Sequence, residues 1–98
     1  MDFYFHIRGT LFAWDENKAR TNERDHGVTF QEAAEAFFDP FYQSGDASRN
    51  DEARQFIIGY STTLRLLLVV YVERATRIRL ISARRATRQE RMLYEKGT

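Results

Sequence analysis

The chain contains no cysteine, a single proline, two histidines and no apolar run longer than the seven residues 66–72. Without cysteine, disulfides and thiolate metal sites are excluded, and a reducing compartment fits. The seven-residue run is far short of the roughly 20 residues a spanning helix needs. The opening MDFYFHIRG has no basic start followed by an apolar stretch, so it does not read as a signal peptide. The expectation is a soluble, cytoplasmic protein. His6 and His26 are twenty positions apart and make no metal-ligand spacing. There is no Gly-rich phosphate loop and no nucleophile elbow, so no cofactor and no metal are expected.

What is present begins with enough apolar and aromatic material for a core: 43% hydrophobic residues and 14% aromatics in 98 residues, the size of one domain (1–98). The net charge of +1 conceals a division. Residues 1–53 carry five Lys/Arg against eleven Asp/Glu, whereas residues 54–98 carry ten against three. Nine of those ten are arginines, the side chain that binds phosphate bidentately and stacks on bases. Such segregation points to a nucleic-acid partner, an acidic protein partner, or both in turn; internal pairing of the two halves is the bland alternative.

The pattern is α+β. Residues 1–11 alternate loosely and either add an edge strand or form a flexible start. Asp15 is a good N-cap and Gly27 a good left-handed stop, which predicts a helix over about 16–25. Thr29 with Glu32 forms a capping box, and Phe30, Ala33, Ala34, Phe37 and Phe38 recur at helical spacing until Asp39-Pro40. Residues 43–51 read as a loop or hairpin connection. Strands are predicted over 54–60, 64–73 and 77–83, with short connections that favour an antiparallel meander. Thr87 with Glu90 opens a closing helix to about Lys96. The expected architecture is an antiparallel sheet packed with two N-terminal helices and one C-terminal helix.

On a strand, alternate side chains share a face, so Arg77 and Arg79 point one way and Ile78 and Leu80 the other. Arginines at fixed alternate positions suit phosphate. Arg54, Arg65, Arg74 and Arg84 extend the array, with Tyr94 among the tyrosines able to stack on a base. Arg88 and Arg91 read as ordinary helix-surface charges. For proton transfer the candidates are His26 and Glu73, with Glu73 favoured by its place on the basic hairpin.

Several strings together resemble one family. They are Phe12-x-Trp14-Asp15, Lys18, Asn22-x-x-x-His26-Gly27-Val28-x-Phe30-x-x-Ala33, Glu52-x-Arg54, Ile58-Gly59-x-Ser61 and Leu67-x-Val69-Val70. The most specific is Glu73-Arg74 with Arg77-Ile78-Arg79-Leu80-Ile81-Ser82-Ala83-Arg84-Arg85-Ala86-Thr87, followed by Glu90-Arg91 and Tyr94. This set resembles the BrnT toxins; where such proteins commonly carry a lysine before His-Gly, this chain has Asp25. The resemblance implies a RelE-like fold and a ribonuclease toxin of a type II toxin–antitoxin system. It further implies a BrnA-like antitoxin, with operator DNA bound only through that antitoxin in a hetero-oligomer. The expected activity is metal-independent cleavage of cellular RNA through the 2′-OH. Arg77 and Arg79 would hold the scissile phosphate, Arg54 and Arg65 would extend the groove, and Glu73 and His26 would move protons. The rival is a non-catalytic module whose basic sheet binds an acidic partner and, with it, DNA.

Overall fold

A computed structural model describes residues 1–97. The chain opens with a hairpin of β1 (Asp2–Ile7) and β2 (Thr10–Asp15). Its loop is Arg8-Gly9, both left-handed at φ 49° and 82°, the turn geometry whose twist matches paired strands. Helix α1 (Glu16–His26) follows at once: the Asp15 carboxylate accepts the Lys18 N–H at 3.0 Å. It stops where Gly27, φ 68°, donates back to the Glu23 carbonyl at 2.8 Å. Helix α2 (Phe30–Glu35) starts at Thr29, whose hydroxyl accepts the Glu32 N–H, and tightens into a 3₁₀ turn over Ala36–Phe38. Then come β3 (Gln43–Asp46), β4 (Gln55–Tyr60), β5 (Leu66–Arg74), β6 (Arg77–Arg85) and α3 (Arg88–Lys96). The Thr87–Glu90 capping box that opens α3 is complete in both directions.

The six strands form one sheet in the order β1-β2-β6-β5-β4-β3. The expectation of an antiparallel sheet is corrected at one place: β2 and β6 run parallel, with Leu11, Phe12 and Ala13 opposite Arg77, Ile78 and Arg79. Short connections enforce antiparallel pairing only between strands close in sequence. β2 and β6 are separated by most of the chain, so their relative direction is set by packing. The structure also adds β3, which pairs antiparallel with β4 inside the stretch expected as a connection.

One face of the sheet carries the main core. Phe12, Trp14, Ile57, Leu67, Val69, Tyr71, Leu80 and Ala83 pack there against Val28, Phe30, Ala33, Ala34 and Ala36. The 3₁₀ turn can lie close because Gly59 is bare: a Cβ there would stand 2.6 Å from the Ala36 carbonyl oxygen. On the other face α3 covers only one side, where Tyr94 packs with Ile58, Leu66, Phe56, Tyr60, Leu68 and Ala86. In β6 the register slips between Ser82, opposite Val70, and Leu80, opposite Tyr71, leaving Ile81 as an extra residue. Without that bulge, Leu80 and Ala83 could not both face the core. Among the described residues no helix is long and apolar enough to cross a membrane.

Candidate nucleic-acid interface

Cross-strand partners lie on the same face of a sheet. The register therefore defines two rows on the face that α3 leaves open. One is His6, Leu11, Arg77 and Arg74; the next is Tyr4, Ala13, Arg79 and Val72. Three arginines thus converge at one end of the β5–β6 hairpin. Arg74 and Arg77 are exposed and have no ion-pair partner among the described residues. Arg79 is engaged: its Nη1 and Nη2 each donate to a carboxylate oxygen of Asp2 at 3.0 Å. That hydrogen-bonded pair holds the Asp2 carboxyl below its usual range and raises the Arg79 guanidinium. A guanidinium that already grips two oxygens in a fork has the geometry phosphate requires.

The same register moves Glu73 away. It sits opposite Ile78, in the row of Phe12, on the face that carries the core. There it lines a cleft with Tyr42, Ser44, Asp46, Gln55 and Tyr71. Neighbouring positions in a hairpin do not imply a shared face; Glu73 and Arg74 point to opposite sides.

His26 stands in a groove between α1 and β6, beside Lys18, Asp25, Ile81 and Ser82. The floor of this groove is built by Asn22. Past Ala13, β2 no longer pairs with β6, which leaves Ala83 paired with Val69 of β5 but without a strand partner on the β2 side. The Asn22 side chain supplies one, accepting the Ala83 N–H at 3.0 Å and donating to its carbonyl at 2.8 Å. Its amide also donates to the Val28 carbonyl at 2.9 Å, so one buried asparagine ties α1, its C-terminal turn and β6 together.

Other arginines have structural work. Arg65 pairs with Glu32, its Nε donating at 2.9 Å, and its Nη2 donates to the Gly27 carbonyl at 2.9 Å. Ser61 and Thr63 hydroxyls add to the same carboxylate. The Arg65 hydrogen bonds, helped by those hydroxyls, lower Glu32 to about 2 despite its burial. Arg84 grips Glu90 through two 2.8 Å bonds, fastening α3 to β6. Tyr94 is buried, and its hydroxyl donates to Asp39 at 2.6 Å. Burial and that carboxylate raise its pKa, so the ring is a core element and not a platform for a base. Arg54 pairs with Glu52 but lies with Arg49 beside Val70 and Ser82, next to the open face. Among the described residues no group of three or more His, Cys, Asp and Glu side chains could hold a metal ion.

Sequence reasoning missed the three β1 residues Asp2, Tyr4 and His6 on this face. The signal was there in DFYFHI, whose polar or amphipathic positions alternate with Phe3, Phe5 and Ile7, but nothing local shows which strand β1 joins.

The model of a family described as the ribonuclease toxin BrnT of a type II toxin–antitoxin system matches residues 14–90. The chain belongs to the BrnT toxin family. The fold agrees: the crystal structure of the Brucella abortus ribonuclease toxin, BrnT, superposes with a TM-score of 0.57. That alignment covers 76% of this chain and 94% of the Brucella chain at 23% identity. No curated protein matches the chain. In BrnT terms, the arginine hairpin and the His26 groove lie inside the matched residues, whereas β1 precedes them.

Proposed function

We propose that this BrnT toxin cleaves cellular RNA without a metal, on the open face of its sheet. The observation that carries the reading is the convergence of Arg74, Arg77 and Arg79 on the part of the sheet face that α3 leaves open. Arg77 and Arg79 hold the scissile phosphate and the charge it gains in the transition state, the phosphate displacing Asp2 from Arg79. Arg74, with Arg54 at the neighbouring loop, tracks the flanking backbone. His26 is a proton-transfer group, reached through the α1–β6 groove. Glu73, on the opposite face, is left out of the reaction. The products are a 2′,3′-cyclic phosphate and a 5′-hydroxyl.

The unit works as a single RelE-like toxin domain in the cytoplasm. Its exposed cationic face also suits an acidic antitoxin of the BrnA type, which silences the toxin by covering the face that RNA uses. Operator DNA then reaches the hetero-oligomer only through the antitoxin.

The test is RNA cleavage by purified protein in EDTA, with mass analysis of the new ends. Cyclic phosphates are expected, with Arg77→Ala and Arg79→Ala each lowering kcat/KM by about 10²-fold and Glu73→Gln leaving it unchanged. Undiminished cleavage by both arginine variants would remove the phosphate seat from this face. Tight antitoxin binding with no turnover would instead mark a purely interacting module.

A further inference from the structure

The first strand precedes the residues that the family model matches, yet its side chains enter the arginine face. Asp2 shows how far they reach. From β1, two strands away from β6, this short carboxylate contacts both terminal nitrogens of Arg79. Asp2 does so from the neighbouring row, whereas His6 lies in the same row as Arg77: it faces Leu11 on β2, and Leu11 faces Arg77 on β6. Its ring is longer than an aspartate side chain, it is exposed, and Arg77 beyond it has no ion-pair partner among the described residues. Neighbouring strands lie about 4.8 Å apart, so the two backbones are about 10 Å apart, a span that an imidazole and a guanidinium close around one phosphate group.

We propose that His6 is a catalytic residue of RNA cleavage, taking the 2′-OH proton of the nucleotide whose phosphate Arg77 and Arg79 hold. This rests on the phosphate seat argued above. As the 2′-oxygen forms its bond to phosphorus, its proton passes to neutral His6 and the P–O5′ bond breaks. The departing 5′-oxygen takes a proton from water at the open face. His6 returns its proton to solvent after the cyclic phosphate leaves. The groups that face His6 are few. On β1 these are Tyr4 and Asp2, on β2 the uncharged Leu11, on β6 Arg77 and, beyond it in the same row, Arg74 on β5. The core helices lie behind the sheet, and α3 covers only the β4–β5 end of the face that His6 shares.

The experiment measures kcat/KM for RNA cleavage in EDTA between pH 5 and 9, using the full chain, His6→Gln and His6→Ala, with thermal melts to show each folded. His6→Gln is expected to lower the rate about 10²-fold and to flatten the ascending limb that an imidazole base imposes. Added imidazole is expected to restore His6→Ala. A His6→Gln enzyme with the wild-type rate, or one slowed with its ascending limb intact and no imidazole rescue, overturns the proposal while the arginine seat stands. A wild-type chain that makes no cyclic-phosphate ends overturns both.

Discussion

Replacing Asn22 by alanine removes one side chain and strands three backbone groups: the Ala83 N–H, the Ala83 carbonyl and the Val28 carbonyl. Asn22 is 6% exposed, so these groups lie away from bulk water. Each buried polar group left unsatisfied costs about 1–3 kcal/mol. The adjoining groove beside Lys18 and His26 lets water reach part of the site, which sets the expected loss at about 3–5 kcal/mol. That is a large share of the roughly 5–15 kcal/mol by which a domain of this size is stable. Equilibrium urea unfolding measures it, as a lower midpoint at an unchanged m-value. Asn22→Asp sharpens the test. The new carboxylate still accepts the Ala83 N–H but confronts two carbonyls that the amide used to serve. The folded state therefore favours the protonated acid, raising its pKa above the ordinary value of about 3.9. The folded chain then binds more protons than the unfolded one, so the stability of this variant falls as pH rises above about 4. A loss below about 1 kcal/mol for Asn22→Ala, or an aspartate variant indifferent to pH, would refute the role of Asn22 as a substitute strand.

Three further outcomes follow from the same geometry. Glu32, lowered to about 2 by Arg65, contributes stability that is present above its ordinary value of 4.5 and is lost as pH falls from there toward 2. Glu32→Gln should cost about 1–2 kcal/mol at pH 7, screening at the 30%-exposed Arg65 side chain included, and should remove that acid transition from the melting curve. Gly59→Ala should cost about 1–3 kcal/mol by thermal melting, because its Cβ meets a backbone oxygen and cannot be relieved by a side-chain rotation. Asp2→Asn should release Arg79 and tighten binding of a 2′-deoxy oligonucleotide about two- to fivefold at low salt; unchanged binding would show that Asp2 does not compete with phosphate.

The local signals in the sequence were strong where backbone chemistry is local. Asp15, Thr29 and Thr87 cap the helices they were expected to cap, and Gly27 ends α1 in the left-handed conformation. The alternation that separates Arg77 and Arg79 from Ile78 and Leu80 also holds in the register. What could not be read was set by distant pairing. The parallel β2–β6 contact decides that His6, Tyr4 and Asp2 share a face with the arginines, and no residue in either strand announces the other. Glu73 looked close to Arg77 along the chain, yet the antiparallel register places it opposite Ile78. Arg65, Arg84 and Tyr94 carried the composition of a binding surface; their carboxylate partners Glu32, Glu90 and Asp39 give them structural duties. Asn22 looked like one more polar residue on a polar helix, because its value lies in a peptide 61 positions away that no strand pairs on the β2 side.

The parallel pairing of residues 11–13 with residues 77–79 also bears on synthesis. The hairpin, α1 and α2 leave the ribosome well before β6, the strand they dock on. Contacts this distant in sequence close late, after most of the chain entropy has been surrendered. A nascent chain stopped after Thr76 would lack Arg77 and Arg79, the strand beside β2 and the peptide that Asn22 binds, and should show no cooperative melt. Translation interrupted before β6 then leaves the cationic face unmade.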